Sequence, residues 1–196
     1  MSTVPKAVLL PEELEAMAES IESLLTVEMR PMGHPAFGRL KKIWKAAVAL
    51  QKGYPTMLSA KRIIETVRTN DVVIITTGLV VDDYLPNGEN DGPLGAASIA
   101  YALSFGLGAI PVILCEEPVV PACKAAINAI GLRVRNPEVA RKIPWAAVVE
   151  GFPTQQNKAE SRAIEILDMY QPKAMFAMNG LASTRMAYNT RLLARH

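Results

Sequence analysis

Residues Asp71 to Thr77 read Asp-Val-Val-Ile-Ile-Thr-Thr, and the four aliphatic residues in a row leave neither face of the stretch polar. A strand sends successive side chains to opposite faces, so a run apolar on both must be covered from both sides. That is the situation of a central strand in a parallel sheet with helices on each face. Ile110 to Cys115 is a second run of the same kind. Between the two, Pro93 to Gly108 places Leu94, Ala97, Ile99, Ala100, Leu103 and Leu107 at helical spacing.

The same alternation continues along the chain. A Glu-Glu-Pro turn follows Cys115, then a helix from about Pro121 to Gly131, short strands at Arg133 to Arg135, Trp145 to Glu150 and Ala174 to Ala177, and a helix from about Gln156 to Tyr170. Strand, helix, strand, helix, strand is the order of βαβ units, so the expected fold class is α/β: a doubly wound, mostly parallel sheet with helices on both faces, a Rossmann-like three-layer sandwich. Upstream, Pro11 to about Leu25 carries a stripe of Leu14, Met17, Ala18, Ile21, Leu24 and Leu25, with acids at the positive end of the helix. Arg39 to about Lys52 forms a second helix with a basic face, and Ser59 is placed to cap a third that runs through Arg68. Glu28 to Gly38, rich in Pro and Gly, reads as irregular chain, and the tail from Leu181 to His196 is open between a last helix and an extension. With no repeat or linker to divide it, the chain is expected to form one domain over residues 1–196, its helical portion at about 11–52 packed on or beside the sheet.

Charge and cysteine usage narrow the function classes. The 21 basic and 19 acidic residues leave a net charge of +2, too little to draw the protein to nucleic acid or an anionic membrane surface. No run approaches the roughly 20 apolar residues a membrane span needs. Cys115 and Cys123 form no CxxC pair and no zinc spacing, and a reduced buried thiol is the default for each. A cytoplasmic setting is expected. Glu116 and Glu117 beside Cys115 would raise its thiol pKa and make it a poor nucleophile. His34, in a Pro/Gly-rich segment, is expected to serve packing or hydrogen bonding.

In open α/β sheets ligands bind beyond the carboxyl ends of the strands. Thr76, Thr77 and Gly78 stand at such an end, and the following loop supplies Asp82, Asp83, Glu89 and Asp91 before Gly92-Pro93-Leu94-Gly95-Ala96-Ala97 opens a helix. Exposed N–H groups at a helix start favour an anion, while carboxylates hold an ammonium group. The mixture suits a small zwitterion such as an amino acid. It also suits a metal-bound phosphate, with a divalent cation such as magnesium shared among the aspartates. The same acids could equally be solvated loop residues and the glycines turn formers. No GxGxxG, GxxxxGK[ST] or GxSxG element is present.

The strand ending in Thr-Thr-Gly-Leu, followed after a variable stretch by GENDGPLGAASIAYALSFGLGAIPVILCEE, resembles the D-glutamate cyclase-like family, in particular the carboxyl-terminal domain of D-glutamate cyclase and its stand-alone bacterial relatives. The family pattern is a Thr-Gly strand end, an acidic Glu-Thr-Asp-Gly-Pro-Pro-Gly-Ala turn, then a helix and a strand ending near an acid. The matching positions are Thr77, Gly78, Glu89, Asp91, Gly92, Pro93, Gly95 and Ala96, with Glu116 and Glu117 after the next strand. Asn90 and Leu94 stand where the family has Thr and a second Pro. The likeness covers Ala46 to Ala177.

The resemblance implies a lyase that closes D-glutamate to 5-oxo-D-proline with loss of water. It implies Glu89 or Asp91 as base or ammonium anchor, with Thr76, Thr77, Gly78, Asn90, Gly92, Gly95, Ala96 and Glu116 around the substrate. No organic cofactor is implied. The uncharged run Ala174 to Gly180, where the family tends to carry an acidic and basic pair, leaves open a non-catalytic subunit that binds a small anion or works with a partner protein or a second copy of itself. A metal-dependent phosphate-handling enzyme is the third reading.

Overall fold

The structure is a computed structural model that describes residues 11–27, 38–81 and 83–178. The chain divides into two compact units, with the boundary between Glu65 and Thr66. His34, Asp82 and the tail from Leu181 to His196 lie outside the described residues.

The first unit is helical: α1 (Pro11–Leu25), α2 (Arg39–Gln51) and α3, which spans Pro55–Thr66. Glu12 and Glu13 sit in the first turn of α1, where acids complement the helix dipole. Of the expected apolar stripe on α1, Ala18 is buried, whereas Leu24 and Leu25 remain 74% and 68% exposed. Among the described residues of this unit the buried polar side chain is Glu22, which is 3% exposed. Its carboxylate accepts from the backbone N–H and the hydroxyl of Thr56, each at 2.6 Å, and from the indole N–H of Trp44. One side chain of α1 thereby ties together α2 and the first turn of α3. The start of α3 lies four residues before the expected cap at Ser59. Pro55 takes the first helical position, where its missing N–H costs nothing, and Leu58 N–H already donates to the Tyr54 carbonyl at 3.0 Å.

The second unit is the α/β part. Its elements run β1 (Val72–Thr77), α4 (Asp91–Leu107), β2 (Ile110–Cys115), a 3-10 turn over Glu117–Val119, α5 (Val120–Ala129), β3 (Arg133–Val134), α6 (Pro137–Ala140), β4 (Ala146–Gly151), α7 (Gln156–Tyr170) and β5 (Ala174–Ala177). The strands pair in the order β3-β4-β2-β1-β5, every pair parallel, so the fold is doubly wound α/β. All residues of β1 and β2 are buried, as two-faced apolar runs require. The element missed at sequence level is α6. Its signal is local: Asn136 caps it by accepting from Val139 N–H at 2.9 Å, and Pro137 follows at the first position.

Register assigns the faces. Ile74 lies opposite Val112 and Met175, so these point the same way, and Val72, Ile74, Val112, Leu114 and Val148 pack with Ala159, Ala163, Ile166 and Tyr170 of α7. The alternate residues Val73, Ile75, Ile113 and Cys115 face the opposite layer, where α4 and α5 pack on each other and on the strands. Ala96, Ala97 and Ala100 are buried, and their small side chains bring α4 close to the sheet. The helix after β2 is therefore on one face and the helix after β4 on the other, although β2 and β4 are neighbours. The winding reverses between these two strands, and there the loops part to leave a crevice. Among the described residues no helix is long and apolar enough to cross a membrane.

The Glu22 network gives the helical unit a distinct acid response. Burial raises its carboxyl pKa, but the hydrogen bonds from the Thr56 side chain, the Thr56 backbone and Trp44 outweigh burial and leave it below its ordinary value. A depressed folded-state pKa means that its contribution is complete above the unfolded value and is lost as pH falls through the folded one. Urea unfolding of Glu22→Gln should therefore show a smaller loss of stability than wild type on acidification below about pH 4.3, the ordinary glutamate range. At neutral pH, Glu22→Ala should cost about 1–3 kcal/mol through stranded donors. Equal acid responses in Glu22→Gln and wild type would show that the network does not couple to folding.

Candidate active site

The carboxyl end of β1 is closed by backbone geometry before any chemistry is added. Thr76 and Thr77 are fully buried, and the Thr76 hydroxyl donates to the Phe176 carbonyl of β5 at 3.4 Å. Gly78 has φ +101°, and a Cβ there would stand 3.3 Å from both the Glu116 nitrogen and Val119 Cγ2. The chain then doubles back: Val81 and Leu85 form an isolated antiparallel bridge, and Glu89 N–H donates to the Leu79 carbonyl at 3.2 Å. Gly88, at φ +80°, lies so close to the 3-10 turn that a Cβ would come within 2.6 Å of Val119 Cγ2. The loop is thus folded onto the turn after β2.

Glu116 joins these segments. It is 2% exposed, and its Oε2 accepts from Val80 N–H at 3.2 Å. Phe152 N–H donates to the Cys115 carbonyl at 2.7 Å, stitching the end of β4 to the end of β2. Around them opens a cleft of about 490 Å³. Val80 comes from the loop after β1, Glu116, Glu117 and Pro118 from the turn after β2, Phe152 to Gln155 from the segment after β4, and Lys158 from the first turn of α7. This is the crevice where the winding reverses. Gly151 lets the Glu117 carboxylate in: a Cβ at that position would be 1.8 Å from Glu117 Oε1. Gln155 caps α7 in extended conformation without a side-chain hydrogen bond to the helix, so the positive end of the helix dipole lies at the cleft beside Lys158.

α7 is anchored from its far side. Arg162 pairs with Glu150 of β4 at 2.7 Å and with Glu165 at 3.0 Å, and the Tyr170 hydroxyl donates to Glu150. Burial and then this hydrogen bond push the Tyr170 phenol well above its ordinary range. The latch fixes α7 relative to β4, and with it the position of Lys158.

The residues anticipated from sequence separate into two groups. Glu116 lines the cleft. Glu89, Asn90, Asp91, Gly92, Gly95 and Ala96 gather instead at the start of α4. There Asp91 Oδ1 accepts from Gly92 N–H at 2.8 Å, so a donor expected to face a ligand is met by its neighbour's carboxylate, and Pro93 has no N–H to offer. Gly95 is covered by Met178, whose Cε would lie 2.6 Å from an added Cβ and whose own N–H donates to the Thr76 carbonyl at 3.0 Å. Lys158 and Phe152 were not anticipated as site residues. The signal for them is positional: each follows β4, and the carboxyl end of every parallel strand can contribute to the crevice. The Cys115 thiol is pushed far up by its hydrogen bond with Cys123 and by burial, more than by Glu117 and Glu116. Among the described residues no group of three or more His, Cys, Asp or Glu side chains is placed to hold a metal ion.

The family described as D-glutamate cyclase-like, C-terminal, matches residues 21–182. The chain belongs to this family. The D-glutamate cyclase-like match begins within α1 and runs past β5, so it takes in more of the helical unit than the motif around β1 and α4 indicated, as well as all of the sheet. No curated protein and no solved structure gives a match.

Gly78 offers a direct check on the closure at β1. Gly78→Ala forces a Cβ at positive φ against the backbone nitrogen of Glu116, a neighbour that cannot rotate away, and should cost about 1–2 kcal/mol in urea unfolding. An unchanged midpoint would mean that the turn relaxes without disturbing β2.

Proposed function

We propose that the cleft between β2 and β4 binds an acidic amino acid and that the protein closes D-glutamate to 5-oxo-D-proline with release of water. The observation that carries this reading is the meeting of opposite charges in one crevice: the carboxylates of Glu116 and Glu117, with Lys158 and the start of α7. A zwitterion needs both. Its ammonium group pairs with the glutamates, and its α-carboxylate with the Lys158 side chain at the positive end of α7, where Lys158 N–H is itself met by Asn157 Oδ1 at 3.0 Å. Val80, Pro118, Phe152 and Pro153 supply apolar walls for the methylenes.

The chemistry follows from that pose. Glu116 or Glu117 takes a proton from the ammonium group, and the freed amine attacks the side-chain carboxyl carbon. The C–N bond forms, one C–O bond breaks, and the departing oxygen leaves as water with the two protons the nitrogen gives up. Family membership supports the reaction class. In this assignment Glu89 and Asp91 shape the neighbouring turn of α4 and do not touch the substrate.

A second reading keeps the ligand and drops the reaction. Its support is the apolar close of β5, where Met178, and not a charged side chain, lies against Gly95.

Calorimetry and a turnover assay on D-glutamate test both. Glu116→Gln keeps an acceptor for Val80 N–H but cannot act as base, and should lower turnover by about 100-fold or more. Lys158→Met should raise KM at least tenfold by removing an anchor of the carboxylate, about 1.4 kcal/mol. Gly151→Ala should displace the flexible Glu117 carboxylate and weaken binding with little change in Tm, while Asp91→Asn should stay near wild type. Binding without product selects the second reading. Wild-type behaviour of Glu116→Gln and Lys158→Met, with loss confined to Asp91→Asn, would move the site back to the start of α4.

A further inference from the structure

At the opposite end of the sheet, where the strands begin, lies a second cavity of about 410 Å³. Its size falls within the range of about 300–1,000 Å³ usual for small-molecule sites. We infer that it is a second binding site, for a planar aromatic ligand carrying a phosphate group, of the size of a nucleoside monophosphate. No residue of the cleft between β2 and β4 contributes to it.

Three aromatic rings form a stacked ladder. Tyr101 stacks on Phe105 with centroids 4.3 Å apart, and Phe105 on Trp145 at 5.0 Å with the planes within 2°. Trp145 is nevertheless 48% exposed, so burial of the ring does not account for its placement. Its backbone is left-handed at φ +56°, a conformation costly for a bulky residue, and is pinned there by Arg133 N–H donating to its carbonyl at 2.9 Å. Non-glycine residues held in this region concentrate at ligand sites, where the surrounding structure maintains the strain. A partly exposed indole stacked on Phe105 thereby lines the cavity.

The charged part is Arg141 and Lys142, both exposed and both lining the cavity. Among the described residues no carboxylate pairs with either of them. At the end of α4, Gly108 N–H and Ala109 N–H donate to the Ser104 and Leu103 carbonyls, and the Thr69 hydroxyl donates to that of Leu107. Two cations with no carboxylate partner beside a stacking platform fit a phosphate joined to a planar ring. The cavity contains no acidic side chain, and the two cations also offset the negative end of the α4 dipole, which reaches it at Ser104, Phe105 and Gly108.

Calorimetry with adenosine monophosphate, adenosine and ribose 5-phosphate separates the contributions. The monophosphate should bind the wild-type protein at least tenfold more tightly than either fragment. Arg141→Gln with Lys142→Gln should reduce its affinity at least tenfold and leave adenosine binding unchanged, and both side chains are exposed, so the fold is kept. Trp145→Gly relieves the left-handed backbone while removing the platform, and should weaken adenosine and the monophosphate alike without lowering Tm in proportion. The binding should persist in Glu116→Gln. Absence of binding at millimolar ligand, equal affinity for adenosine and its monophosphate, or heat that survives the Arg141 and Lys142 changes but vanishes in Glu116→Gln would overturn the assignment.

Discussion

Everything in the α/β unit follows from one parallel pair. β1 and β2 are buried along their whole length and lie side by side in register, Val72 against Ile110 through Thr77 against Cys115. Such a pair has no face to give to water, so helices must cover both sides, and parallel strands must be joined by crossovers long enough to contain those helices. The crossovers return at one end of the sheet and leave from the other. Loops that leave the carboxyl ends carry Gly78, Glu116 and Phe152, and Phe152 packs into the core at the same time as it borders the cleft. Hydrophobic patterning in the strands thus decides where polar chemistry can be placed.

Two buried carboxylates show how differently the same group can be used. Glu22 receives donors from Thr56 and Trp44. Its role is to satisfy three helices at one point, and the depressed pKa records that satisfaction. Glu116 is as deeply buried, and one of its oxygens holds Val80 N–H at the rim of a cleft. A carboxylate that both fixes a loop and faces a cavity keeps its place whether or not a ligand is present. That is the preorganisation a site needs to hold an ammonium group or take its proton without first rearranging.

How much of this could be read from sequence depended on the range of the interaction. Helices α1 and α7 and strands β2 and β5 have the bounds that periodicity and breakers indicate, because those signals are local. The start of α3 was displaced by a competing local signal, Pro55 over Ser59, and α6 was missed although Asn136 and Pro137 announce it. The site was legible as far as a single segment carries it: Glu116 stands next to a strand end and could be named. Lys158 could not, since it reaches the cleft only because the winding reverses between β2 and β4, a fact of strand order. The turn at Glu89 to Gly95 has the composition of a ligand site, yet Asp91 serves Gly92 N–H and Met178 occupies the space over Gly95. Composition reports which groups are available, whereas the partners that satisfy them are set by contacts far along the chain.

The latch on α7 connects these observations. Glu150 sits one residue before Gly151, on the face of β4 that α7 covers, and holds Arg162 and Tyr170. Gly151 in turn admits the Glu117 carboxylate, and α7 carries Lys158 at its start. Successive residues of one strand therefore set both charges of the cleft: Glu150 through the helix it anchors, Gly151 through the side chain it makes room for. Because strand residues alternate faces, these two actions fall on opposite sides of the sheet and meet only beyond its end. The separation of Lys158 from Glu117 is thus governed by β4, which makes this strand, more than the acidic loop after β1, the element on which the charge pattern of the crevice depends.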